Sequence, residues 1–199
     1  MKLRVFLGGT FDPVHNGHIH AAHAVIEKLG VSSVSMVLSA RPPHRGVVAK
    51  TEDRWKMLCL AVEDDEVLDI SDVELEREGP SYTIDTLEGL EEDGPVVWVL
   101  GSDAIETFES WYRCEAFPNH CHVIDLARPG VAVRTLPGFR TVTDMTELVR
   151  EQCGCLLVLQ APMLEVSATK IREMLSNGDD VSGLLPSGVW SYIKKRGLY

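Results

Sequence analysis

The densest concentration of chemically useful residues lies near the start of the 199-residue chain, in Gly8-Gly9-Thr10-Phe11-Asp12-Pro13-Val14-His15-Asn16-Gly17-His18. Glycines let backbone N–H groups come close to a phosphate. A helix beginning just after them adds unsatisfied N–H groups and the positive end of its dipole. His15 and His18, three apart with Gly17 between, can face one oxyanion as that helix begins. A neutral pair would donate hydrogen bonds; a protonated pair would add charge where negative charge gathers. The string is neither a G-x-G-x-x-G loop nor a P-loop, since no Gly-Lys-Ser/Thr follows. A second group is Val166-Ser167-Ala168-Thr169-Lys170-Ile171-Arg172. Ser167 is a good N-cap, so hydroxyls and a cation stand at another helix start. Both groups suit a polyphosphate.

Such groups need elements to aim them. Apolar, β-branched runs at 3–7, 34–38, 67–70, 96–100, 123–126 and 156–159 are mostly continuous rather than alternating, as in parallel strands covered on both faces. Helical spacing separates them. Ile19, Ala22, Ile26 and Leu29 form one stripe, ended by Gly30 as a C-cap. Thr51 is placed to cap a helix carrying Trp55, Leu58 and Val62. Further helices are expected near 83–85, 102 and 109, after Ser167, and from Ser187 to about Arg196, with Gly197 beyond. The stretch 127–144, rich in Pro, Gly and Arg, reads as a long loop. This alternation predicts an α/β fold: a doubly wound, Rossmann-like parallel sheet with helices on both faces. It is expected as a single domain over 1–199, the helical part from about 165 packed on it. With strand order 3-2-1-4-5, ligands would bind at the reversal between the first and fourth strands, where Gly8-Gly9 and Gly101-Ser102 stand.

Nineteen Lys and Arg against thirty Asp and Glu give a formal charge of −11, which disfavours nucleic acid and anionic membrane surfaces as partners. No apolar run nears the roughly 18 residues of a membrane span, and the opening run is too short for a signal peptide, so the cytoplasm is expected. Cys59, Cys114, Cys121, Cys153 and Cys155 form no paired framework and read as reduced thiols. Neither Cys153-Gly154-Cys155 nor His120-Cys121-His122 has the spacing of a structural zinc site, and no resident metal is expected. The acidic runs 64–66 and 91–93 read as solvated surface.

The eleven-residue string resembles the signature of the nucleotidyltransferase superfamily with the His-x-Gly-His motif. The second group resembles its Ile-Ser-Ser-Thr-x-Ile-Arg signature, with Ala168 at the middle Ser. Pro42-Pro43-His44-Arg45, Gly79-Pro80-Ser81-Tyr82-Thr83, Gly101-Ser102-Asp103, Trp111-Tyr112, Arg128-Pro129-Gly130 and the final Gly197-Leu198-Tyr199, in this order, are similar to bacterial nicotinate mononucleotide adenylyltransferases from Leu3 to Tyr199. That resemblance implies adenylyl transfer from ATP to nicotinate mononucleotide, with pyrophosphate released and Mg2+ arriving with ATP. ATP would lie on Gly8, Gly9, Thr10, Phe11, His15, His18 and Gly101. Asp103 would accept from a ribose hydroxyl, and Ser167, Thr169 and Arg172 would clasp the β- and γ-phosphates. His18, with His15, would serve the transfer itself. Trp111 would stack on the pyridine ring, and backbone amides near Thr83 and Tyr112 would hold the carboxylate. Arg45, where the family more often has Lys, and Arg128 would bind phosphate.

Several readings stay open from the residues alone. Trp111 and Tyr112 read equally as core or interface aromatics. Arg128 either binds a phosphate or satisfies strand-end carbonyls. Arg54 either crosses the mouth of the site or sits on a solvated helix face, while His20 and His23 read as packing or exposed histidines. Other substrates in the superfamily are nicotinamide mononucleotide and phosphopantetheine. A nucleotide sensor without catalysis is the rival from another class, and a homo-oligomer is left open.

Overall fold

The computed structural model describes residues 3–43, 46–90, 94–128, 130 and 134–199. Its strands are β1 (Arg4–Gly9), β2 (Val34–Leu38), β3 (Leu68–Ser71), β4 (Val96–Gly101), β5 (His122–Ala127), β6 (Arg140–Val142) and β7 (Cys155–Gln160). The helices are α1 (Asn16–Leu29), α2 (Thr51–Val62), α3 (Val73–Glu76), α4 (Thr83–Glu88), α5 (Ser102–Thr107), α6 (Thr146–Arg150), α7 (Ala168–Ser176) and α8 (Ser187–Arg196). All seven strands are parallel in the order β3-β2-β1-β4-β5-β7-β6. The reversal falls between β1 and β4, as the alternation predicts.

Alternate residues of the central strands feed two cores. Val5 and Leu7 of β1 join Val25 of α1, Met57 and Leu58 of α2, Ile171 of α7 and Val189 and Ile193 of α8 on one face. Phe6 joins Trp98, Leu100, Ile84, Leu87, Ile105, Phe108 and Phe117 on the other. Two-sided burial accounts for the continuous apolar runs. Gly30 ends α1 in the left-handed region at φ 62°, and Gly197 ends α8 at φ 61°, as their positions suggest.

Four features depart from expectation. β6 lies within the stretch read as loop. It is a three-residue edge strand whose Arg140 and Thr141 are exposed, so it carries no apolar run. α3 and α6, of four and five residues, are too short to show a helical period. Thr51 is not the cap of α2: Lys50 holds that position, and the Thr51 hydroxyl donates to the Ala40 carbonyl at 2.9 Å.

Arg54 fits neither of its open readings, being fully buried. Its guanidinium donates to the carbonyls of Ala49, Thr10, Ser39 and Ala40 at 2.7–3.2 Å, and to the Thr51 hydroxyl. It thereby ties the loops leaving β1 and β2 to the start of α2. Each buried carbonyl left without a donor costs about 1–3 kcal/mol. Arg54→Ala is therefore expected to lower the unfolding free energy by at least about 3 kcal/mol in urea titration; a loss under 1 kcal/mol would contradict this role.

Candidate active site

β1 ends at Gly9 against the carboxyl edge of the sheet, and the chain turns there through Phe11, buried and held at φ 49°. A side chain at Gly8 would strike Trp98, whose ring carbon lies 2.5 Å from the position of a Cβ. His15 caps α1 in extended conformation, and its backbone N–H donates to His18 Nδ1 at 3.2 Å. The two imidazoles stack with centroids 3.7 Å apart, and the Phe11 ring meets His18 edge-on at 4.9 Å. Because His18 Nδ1 accepts, a neutral His18 carries its proton on Nε2, where it can be donated.

Burial pushes the His15 pKa down to about 4, a backbone hydrogen bond of its own opposing the fall. His18 is pushed well below its usual value by burial first and then by repulsion from His15. Of the two charge states open from the sequence, the neutral pair is the one this environment favours at pH 7.

The second group lies directly beside the first. Ser167 caps α7, its hydroxyl accepting from the Lys170 N–H at 3.3 Å, as its residue type predicts. A Cβ on Gly17 would come within 2.7 Å of a Val166 methyl, so α1 starts in contact with the approach to α7. Arg172 Nη1 donates to the Asp12 carbonyl at 2.7 Å and Nη2 to the Thr169 hydroxyl at 3.3 Å. Gly8–His18 and Ser167–Arg172 therefore meet at one sheet edge.

The remaining residues stand at a strand end, at helix starts and in loops. Gly101 and Asp103 are exposed where β4 passes into α5, next to β1. Thr83 opens α4, and the Tyr82 ring stacks on exposed Tyr112 with centroids 4.3 Å apart. Trp111 is half-buried against Phe108 and Phe117, at 5.8 and 5.9 Å, so its partly core-like character is real. Arg128 is exposed, with Glu165 at 3.6 Å, and among the described residues no carbonyl accepts from it. Arg45 lies outside the described residues, as do 91–93. His20 contacts the Pro162 carbonyl at 2.6 Å and His23 pairs with Asp65 at 2.7 Å, in keeping with packing roles.

Arg41 and Arg134, which help build this edge, belong to no motif in the sequence. Arg41 and Ser81 exchange hydrogen bonds, Arg41 N–H to the Ser81 hydroxyl and Ser81 N–H to the Arg41 carbonyl, both at 2.9 Å. The Arg41 side chain also donates to the carbonyls of Gly79, Glu74 and Arg77. The Ser39 N–H donates to the Gly9 carbonyl at 2.8 Å. A continuous set of contacts thus runs from the β1 turn to Thr83. Arg134 fastens the loop before β6 to α5, through the Ser102 carbonyl at 3.0 Å and Glu106 at 2.8 Å.

Comparison with known proteins agrees with this geometry. A cytidylyltransferase-like family pattern matches residues 6–174. A probable nicotinate-nucleotide adenylyltransferase of Pseudomonas putida is 41% identical over 97% of this chain and 93% of its own length. One from Clostridium tetani is 30% identical over the whole of both chains. The chain belongs to the nicotinate-nucleotide adenylyltransferase family. Among solved structures, the nicotinic acid mononucleotide adenylyltransferase of Plasmodium falciparum complexed with NaAD matches with a TM-score of 0.76, covering 100% of this chain and 98% of that one. At 17% identity, that likeness places this member of the family in the same fold. Among the described residues no helix is long and apolar enough to cross a membrane.

The histidine environment has a measurable consequence. With a folded pKa near 4 against about 6.5 unfolded, the unfolded state binds the extra proton first as pH falls. The stability held by neutral His15 is present above pH 6.5 and is lost between there and pH 4, about 3 kcal/mol in all. An NMR titration is expected to place the His15 midpoint near pH 4; a midpoint above 6 would contradict the burial argument.

Proposed function

We propose that the chain transfers the adenylyl group of ATP to the 5′-phosphate of nicotinate mononucleotide, forming deamido-NAD and releasing pyrophosphate. The observation that carries this reading is the hydrogen bond from Arg172 to the Asp12 carbonyl, which joins the two phosphate-suited segments. Family membership supplies the substrates.

The attacking oxygen belongs to a phosphate monoester that is already anionic, so the reaction needs no general base and no covalent enzyme intermediate. The oxygen forms a bond to the α-phosphorus of ATP as the bond to the bridging oxygen breaks, and pyrophosphate carries away the electron pair. Catalysis is then alignment plus stabilisation of charge on the α-phosphoryl oxygens. In this reading the backbone of Gly8, Gly9, Thr10 and Phe11 admits the triphosphate closely. His18 Nε2–H donates to an α-phosphoryl oxygen, and His15 helps hold the phosphates. The arriving negative charge raises the pKa of both imidazoles and strengthens these donors. Ser167, Thr169 and Arg172 take the β- and γ-phosphates. Gly101 and Asp103 receive the ATP ribose, Asp103 accepting from a hydroxyl. Trp111 stacks on the pyridine ring, the amides of Thr83 and Tyr112 hold its carboxylate, and Arg45 and Arg128 bind the mononucleotide phosphate. Among the described residues no three His, Cys, Asp or Glu side chains gather as metal ligands; in this reading Mg2+ arrives with the ATP. A cytoplasmic location fits substrates of this kind.

His18→Ala is expected to lower kcat for pyrophosphate release by about 10²–10³, the usual size for one oxyanion donor. Near-normal turnover in a folded variant would remove His18 from this role. In the same assay nicotinate mononucleotide is expected to outrun nicotinamide mononucleotide and phosphopantetheine; an equal or faster rate with the amide would overturn the substrate assignment.

A further inference from the structure

The Thr83 and Tyr112 amide N–H groups donate to no acceptor among the described residues. They sit in segments distant in sequence, Thr83 at the start of α4 and Tyr112 after the turn at Phe108–Ser110. Two contacts fix one segment against the other. At one end of α4, Tyr82 stacks on Tyr112, the rings tilted by 32°. At the other end, Glu88 Oε1 receives Arg113 Nη2 at 2.8 Å, with His120 Nε2 at 4.0 Å from the same oxygen.

Arg113 is held at φ 52° and ψ 40°, in the left-handed region. For a residue with a Cβ this conformation costs on the order of 1 kcal/mol and persists only where neighbouring contacts impose it. Here the Cys114 N–H donates back to the Trp111 carbonyl, closing the turn, while the side chain of Arg113 reaches α4. The residue after Tyr112 is thus both the turn and the strut.

We propose that Arg113 and Glu88, with the Tyr82–Tyr112 stack, are positioning residues that set the separation of the Thr83 and Tyr112 amides, and so the preference for a carboxylate over a carboxamide on the pyridine ring. The inference rests on the substrate reading above. Two N–H donors at fixed spacing suit two carboxylate oxygens. A carboxamide offers one oxygen and an NH2, whose hydrogens oppose the second donor. Loosening the brace removes more from the carboxylate than from the amide.

The pair is suited to a clean test because its side chains are 41% and 38% exposed. An ion pair so placed contributes little to folding. The experiment measures kcat/KM for nicotinate and nicotinamide mononucleotides with the unsubstituted chain, Glu88→Ala, Arg113→Ala and the exchanged pair Glu88→Arg/Arg113→Glu. Each single variant is expected to lower the nicotinate-to-nicotinamide ratio by about threefold to tenfold, the size of one modest hydrogen bond, chiefly through KM for nicotinate mononucleotide. KM for ATP should stay within about twofold, well below the effect of losing a hydrogen bond. The exchanged pair should recover most of the ratio. A general loss of folded protein lowers both rates together and leaves the ratio alone, so unchanged ratios in the single variants overturn the brace. An exchanged pair as poor as the single variants overturns the pairing of Arg113 with Glu88. Equal use of both mononucleotides by the unsubstituted chain instead overturns the substrate reading, and the brace with it.

Discussion

Asp12 is buried within the first turn, and its carboxylate accepts from the Val48 N–H at 2.7 Å, the Ala49 N–H at 3.1 Å and the Tyr199 hydroxyl at 2.7 Å. Its carbonyl receives Arg172. A carboxylate taken out of water is costly unless donors surround it; its donors come from two distant parts of the chain, and Arg172 adds a third through the carbonyl. The β1 turn, the loop before α2, helix α7 and the tail after α8 are consequently held at one point. Burial, followed by the bond to Asp12, raises the Tyr199 pKa, so the phenol remains a donor at neutral pH. Arg54 supports the same turn from beneath through the Thr10 carbonyl. With those anchors in place, the stacked His15 and His18 and the Arg172 guanidinium face one edge.

That arrangement explains how a chain of charge −11 can serve highly anionic substrates. The site does not depend on a broad positive field. In the proposed reading it uses backbone N–H groups, two imidazoles kept neutral by burial, and Arg172, whose geometry is set by the Asp12 carbonyl. Neutral donors in a water-poor turn cost little to organise beforehand and strengthen as negative charge arrives. Long-range attraction is exchanged for local fit.

Much of this was legible in the residues. The continuous apolar runs gave the parallel strands, and the glycine positions located the reversal between β1 and β4. Ser167 marked its helix start correctly because N-capping is a local effect. What escaped was set by contacts between distant positions. Arg54 looked like a residue at the mouth or on the surface because nothing nearby in sequence announces the carbonyls it satisfies. Tyr199 lies 187 residues from its partner Asp12. Arg41 joins Ser81 across 40 residues, and its role appears only once β2 and α4 are packed. Thr51 has the composition of a cap, yet its hydroxyl serves Ala40 because Arg54 draws that carbonyl to the start of α2. β6 is too short for periodicity to reveal it.

The central claim is that the turn after β1 and the start of α7 hold one triphosphate between them. A crystal structure of the full chain with Mg2+, a non-hydrolysable ATP analogue and nicotinate mononucleotide tests it most directly. The account predicts the α-phosphate against His18 Nε2 and the β- and γ-phosphates between Ser167, Thr169 and Arg172. A triphosphate touching only one of those segments, or lying at another edge of the sheet, would contradict it.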